Sequence, residues 1–436
     1  MDQVLLARLQ FAFTIGFHYI FPPLTIGMAW LIFIFESLHL KDASTLYRSI
    51  SRFWLKLFIV SFAVGVATGI TMEFQFGTNW AQYSKFVGDI FGAPLAAEGI
   101  FAFFLESCFI SILIYGEKRV SSRMYWFSTL MVAIGSTLSA FWIIVANSWQ
   151  QTPAGFEMIE GKPVLTNFLL AVFNPSTIPR YFHTISGALI TGAFFIMGIS
   201  AYYLLKKMHV EFAKTSFKVA LIFGFFSVFT LLPIGHFHGV QVARTQAAKM
   251  AAFEGIWESG THAPMLVFGI PDEKAELTKY RLEIPSLLSI LIGGTPHHKV
   301  VGLKDFPREE RPPLFITFTS FHLMVLCGLY FLCFTVGGLI LLGKNRLFEN
   351  TFFLRLAMYS LPIPFIANEL GWIAAEVGRQ PWIVWGLLKT KEAISLNVPP
   401  IQILMTLVMF GFIYALLFII WVVVLRKKIL KGPEIF

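Results

Sequence analysis

Charge is what this sequence has least of. Of its 436 residues, 14% are Asp, Glu, Lys or Arg, against about 25% in soluble domains. So few charges cannot cover a water-exposed surface, which excludes a soluble globular protein. Cysteine is scarce as well. The three present, Cys108, Cys327 and Cys333, all lie in apolar stretches, so a disulfide framework is excluded. There is no C-x-x-C-H string for covalent attachment of a c-type haem. Internal repeats and low-complexity segments are absent. No cleavable signal peptide is evident, because the first apolar run is too long and no small-residue cleavage site follows it.

What is present is hydrocarbon. Hydrophobic residues make up 56% of the chain, and the mean hydropathy is +0.70. The expected fold is all-α: a polytopic membrane helix bundle of about nine transmembrane helices, counted by the ~20-residue length of a span. The runs fall at roughly 9–38, 53–76, 94–115, 124–149, 183–205, 216–236, 314–343, 354–376 and 401–425. Pro362 and Pro364 should bend the eighth. The chain reads as three regions: helices 1–6 over 1–236, a long loop over 237–313, and helices 7–9 over 314–436. The net charge of +9 implies no nucleic acid, because basic residues in such a chain set topology. Lys41, Arg48, Arg52 and Lys56 follow the first span, and Lys118, Arg119 and Arg123 follow the third. Lys206, Lys207, Lys214 and Lys218 follow the fifth, and Lys344, Arg346 and Arg355 the seventh. The tail carries Arg426, Lys427, Lys428 and Lys431. This alternation places the N-terminus outside, the C-terminus in the cytoplasm and the long loop outside.

Within that frame the intramembrane acids carry the functional signal. Glu98 and Glu106 share the third span, ~80° apart around a regular helix and ~12 Å apart along it. A bare carboxylate in hydrocarbon is costly, so such acids mark ion, proton or ligand paths. At the same outer depth stand His18, His183, His322 and Met324, with Glu376 and Arg379 closing the eighth span. His/His and His/Met pairs are axial ligand sets of low-spin haem, and a lone His leaves a position open for a gas. Each residue alone reads equally well as packing; their shared depth favours a ligand set. Glu106, nearer the cytoplasm, reads as a proton-relay acid, with Ser107, Ser111 and Ser139 as hydroxyl neighbours. A haem-free proton or ion transporter using the same acids is the alternative.

The long loop opens with HFHGVQVARTQAAKMAAFEGIWES. Lys249, Glu254 and Trp257 recur on roughly one side of a helix, with Met250 and Phe253 on the apolar side. This predicts an amphipathic surface helix that could hold a lipid-soluble quinol. His236 and His238, two apart, lack helical metal spacing and read as a loop or cap feature.

Several strings resemble one family, subunit I of the cytochrome bd-type quinol oxidases. They are Arg8-Leu9-Gln10-Phe11 with His18, the segment from Gly65 through MEFQFGTNW ending at Trp80, GDIFGAPLAAEG at 88–99, FFLES at 103–107, the His183 segment, and GWIAAEVGRQPW at 371–382. The resemblance covers nearly the whole chain. It implies that His183 and Met324 are axial ligands of a low-spin haem b. His18 and Glu98 would ligate two high-spin haems, one haem b and one haem d, in either assignment. Glu106, Ser107 and Ser139 would lie on the proton route, Glu376 beside the high-spin pair, Trp372 between haems and Arg379 on haem propionates. Lys249 and Glu254 match quinol-loop residues of the short-loop type. The implied reaction is quinol oxidation at the outer face and reduction of O2 to water with cytoplasmic protons, building a proton motive force without a pump. The implied setting is a multi-pass protein of a bacterial or archaeal cell membrane. Its partners would be a second membrane subunit (subunit II) and, in some members, a small accessory subunit.

Two departures stand out. His322 replaces the Arg of better-known members, which makes it a rival ligand to Met324. GHFHG replaces an acidic loop start. A variant with haem b in place of haem d is the alternative within the class.

Overall fold

A computed structural model of the chain describes residues 2–434. The helices are α1 (Gln3–Tyr19), α2 (Phe21–Asp42), α3 (Thr45–Thr78), α4 (Ala81–Ala97), α5 (Phe104–Tyr115), α6 (Ser122–Gln151), α7 (Phe168–Val172), α8 (Thr177–Leu205), α9 (Val210–Thr245), α10 (Ala247–Glu254), α11 (Leu287–Gly293), α12 (Leu314–Gly343), α13 (Thr351–Tyr359), α14 (Ile363–Val377) and α15 (Pro400–Lys431). A π-helical segment, Glu98–Phe103, joins α4 to α5. Three antiparallel hairpins, β1–β2 (Phe156–Ile159, Lys162–Leu165), β3–β4 (Met265–Asp272, Leu277–Ile284) and β5–β6 (Trp382–Val384, Leu388–Lys389), decorate the connections.

Eight helical stretches among the described residues are long and apolar enough to cross a membrane. The run expected over 354–376 is instead a broken pair, α13 and α14. Pro362 and Pro364 lack an N–H and interrupt the ladder between them. The run at 9–38 is likewise two helices. Pro22 and Pro23 open α2 and cannot bond back into α1. Asp2 caps α1 by accepting from the amides of Val4 and Leu5.

α8 runs through the centre of the bundle, with Phe194, Ile196, Met197 and Tyr203 fully enclosed. It meets α2 at a glycine pair: a Cβ on Gly27 would lie 2.3 Å from the carbonyl oxygen of Ala188, and one on Gly192 would lie 2.4 Å from the Gly27 carbonyl carbon. Small residues let membrane helices approach backbone to backbone, where dispersion rather than the hydrophobic effect holds them.

The long loop is a folded unit. Trp257, Leu266, Leu288, Leu303 and Leu314 form a core of their own. Glu273 Oε1 accepts from the amides of Leu314 (2.8 Å) and Phe315 (3.3 Å), capping α12 with the tip of the β3–β4 hairpin. α9 continues through Thr245, so residues 237–245 belong to a helix rather than to the loop. His236 and His238 are therefore helical, not a loop or cap feature. No proline follows Pro233 on α9, so nothing in the sequence stops the helix there.

Candidate functional site

Glu98 begins the π-helical segment. Pro94, inside α4, lacks the N–H that a regular ladder needs one turn earlier. Single π turns inside helices recur at functional sites. The segment changes the spacing expected from a regular helix. Ser139 donates to Glu98 Oε1 at 2.6 Å, and Ser136 donates to Glu106 Oε1. Ser136 and Ser139 lie one turn apart on α6, a rise of ~4.5 Å. Both carboxylates thus meet hydroxyls of α6 that stand one turn apart. Ser136 is buried, and sequence reading missed it. The Ser107 carbonyl accepts from Ser111 at 3.0 Å; the hydroxyl on the Glu106 carboxylate is that of Ser136.

His18 lies half-buried on α1, facing α3. Its Nδ1 is 3.0 Å from Thr68 Oγ1. The Thr68 hydroxyl gives its own proton to the carbonyls of Val64 and Gly65 (2.9 and 3.0 Å). Its lone pair must then accept from His18 Nδ1–H, which leaves Nε2 with a free lone pair. A ligating imidazole needs this tautomer and this kind of outer partner. Sequence reading did not find Thr68, because a helical Thr gives no outward signal. His183, on α8, has its Nδ1 buried with no hydrogen-bond partner among the described residues. Its ring lies 5.3 Å from that of His238 on α9. Met324, on α12, packs its sulfur against Gly371 of α14. His322 differs: Nδ1 lies 3.0 Å from the Phe318 carbonyl and Nε2 3.0 Å from that of Leu266. Both ring nitrogens thus face backbone carbonyls, a setting unlike that of His18.

Where α6, α8 and α14 end together, a polar cluster is walled in. Arg379 donates to Glu376 Oε2 at 2.5 Å and to Gln150 at 3.0 Å. Asn147 and Gln151 donate to Glu376 Oε1 at 3.1 and 3.2 Å. Arg180 lies 3.7 Å from the same carboxylate and bonds Asn147. Lys249, from α10, bonds Gln151. Three cations thus answer one carboxylate, and the Nε atoms of Arg180 and Arg379 are buried without a partner among the described residues. Trp372, half-buried, stands one turn before Glu376 on α14. Sequence reading missed Arg180, yet it had a signal: a charge one turn before His183 in an apolar run.

The loop residues correct one expectation. α10 is not an amphipathic surface helix: Ala248 through Glu254 are all buried, and Trp257 lies beyond its end. Five residues apart, Lys249 and Glu254 point ~140° from each other. Lys249 turns to the cluster, while Glu254 turns to the backbone of Leu266 in β3. Burial holds the Lys249 ammonium well below its usual range, with Arg180 adding to the effect. Burial also pushes the Glu254 carboxyl up to about 8. Between about 4.5 and about 8 the folded chain therefore keeps a proton there that the unfolded chain has released. Stability is lost as pH rises through that window. Glu254→Gln should flatten the fall, measured as melting temperature against pH; an unchanged slope would exclude Glu254 as its source.

Among the described residues, no three His, Cys, Asp or Glu side chains meet as a ligand set for a bare ion. The candidate donors come singly from different helices. The family model for cytochrome bd terminal oxidase subunit I matches residues 6–433. The chain belongs to this family. It is 40% identical to cytochrome bd ubiquinol oxidase subunit 1 of Bacillus subtilis (strain 168), over 100% of this chain and 95% of that one. It is 35% identical to cytochrome bd-II ubiquinol oxidase subunit 1 of Escherichia coli (strain K12), covering 99% and 97%. The solved bd oxidase of Geobacillus thermodenitrificans superposes with a TM-score of 0.93 at 32% identity, covering 99% of both chains. This bd subunit I is thus a multi-pass membrane protein of a respiratory terminal oxidase, and the haem-free transporter alternative falls away.

Proposed function

We propose that this subunit I, with a subunit II, is a quinol:O2 oxidoreductase of the bacterial cell membrane. In this reading His183 and Met324 hold a low-spin haem b, and His18 and Glu98 hold the two high-spin haems, b and d. The α6–α8–α14 cluster carries the proposal. Its excess of cations and its two unpartnered guanidinium nitrogens suit carboxylates beyond Glu376, as haem propionates would supply. The free Nε2 of His18 and the soft thioether of Met324 suit axial ligation. Bound haem iron supplies one-electron transfer and an O2 site.

The chain's own residues do the rest. Lys249 and Glu254, on the outer side, bind quinol. Glu106, with Ser136, and Glu98, with Ser139, pass protons inward from the cytoplasmic side. Protons leave outside and are consumed from inside, so charge separates without a pump. The test is Lys249→Ala. Loss of a charge-assisted hydrogen bond slows quinol-driven O2 consumption about 10- to 100-fold, while an artificial donor still drives it. Equal loss with both donors would contradict the quinol role.

A further inference from the structure

Three of the proposed ligands end against glycines of neighbouring helices, and the fit differs among them. A Cβ on Gly371 of α14 would lie 2.9 Å from the Met324 sulfur. One on Gly69 of α3 would lie 3.3 Å from His18 Cε1. One on Gly235 of α9 would lie 3.7 Å from His183 Nδ1 and Cε1. Carbon atoms pack best at about 3.5–4.0 Å, so a methyl at Gly371 must displace the sulfur, one at Gly69 presses on Cε1, and one at Gly235 fits in ordinary contact.

Neither Gly371 nor Gly69 is in the left-handed region. Both stand inside regular helices, where alanine is the better residue by intrinsic preference. The backbone does not require glycine there; the neighbouring ligand's space does. We infer that Gly371 and Gly69 are positioning residues, which set the places of the Met324 thioether and the His18 imidazole and thereby the ligation of two different haems. The inference rests on the ligand assignment proposed above.

The two seats work differently. Met324 is unbranched and flexible, so a methyl at Gly371 displaces the sulfur rather than unfolding the bundle. A thioether is a weak axial ligand, lost when its sulfur moves away from the iron. His18 is rigid and tied through Nδ1 to Thr68 at 3.0 Å. Gly69, the next residue on α3, leaves room for Cε1. A methyl there would tilt the imidazole about the Thr68 bond and turn Nε2 aside.

The test uses the purified two-subunit enzyme, with low-spin and high-spin signals read by electron paramagnetic resonance. Total haem by extraction and melting temperature are measured alongside. Gly371→Ala should lose roughly half or more of the low-spin signal with total haem retained, because the displaced thioether no longer sets the spin state. Gly69→Ala should alter the high-spin signal and leave the low-spin one. Gly235→Ala should leave both. A full low-spin signal in Gly371→Ala, or equal loss in Gly235→Ala, would overturn the inference. If Gly371→Ala does not assemble, Gly69→Ala decides alone, and an unmoved high-spin signal overturns the inference. Met324→Leu separates the two levels. Loss of the low-spin signal there, with Gly371→Ala intact, sinks only the glycine seat; retention in both sinks the ligand assignment.

Discussion

Replacing Met324 with leucine is expected to convert the low-spin haem to a high-spin one. Leucine keeps the volume and the apolar contact with Gly371, so folding should change little. What it removes is the thioether sulfur proposed as the axial donor from α12. Quinol-driven activity should fall at least about tenfold, the usual scale for a disturbed ligand shell. Activity with a donor that bypasses the low-spin haem should fall less. An unchanged spectrum would remove Met324 from the ligand set.

The second large effect is expected at Glu106. Glu106→Gln keeps the shape and can still accept from Ser136, but it can no longer carry a proton through ionisation. Proton transfer by a placed acid contributes about 10²–10⁴-fold to rate, so O2 reduction should slow by that order. Haem content and the low-spin signal should be retained. Ser136→Ala should slow the reaction less, since Glu98 and Ser139 remain hydrogen-bonded one turn away at 2.6 Å. Full turnover in Glu106→Gln would take Glu106 off the proton route.

The helices were legible because membrane-length apolar runs have few alternatives. Where the reading slipped, a local backbone feature intervened. Pro22 and Pro23 divided the first run, and Pro94 prepared a π turn at Glu98. That turn brought two acids onto serines only one turn apart. The loop misled for another reason. The spacing of Lys249, Glu254 and Trp257 suits a surface helix, but burial is decided by what lies above it. A separate core around Trp257 and Leu266 roofs α10.

Among the site residues, the charged ones and the proposed ligands are legible because such groups are rare in hydrocarbon. Arg180, a charge in an apolar run, carries the same signal. Thr68 and Ser136 carry no such signal, since a hydroxyl in a helix usually bonds its own backbone. Both do so here at 2.9 Å, to Val64 and Val132, while also meeting His18 and Glu106. Only the packed structure tells such a hydroxyl from an ordinary one.

The central claim is that side chains from separate helices hold three haems beside a cationic cluster at one end of the bundle. The most direct measurement is the reduced-minus-oxidised absorption spectrum of the purified two-subunit enzyme. The account predicts b-type bands together with a d-type band; b-type bands alone would place a third haem b where haem d is expected. A stable, folded preparation with no haem bands would contradict it.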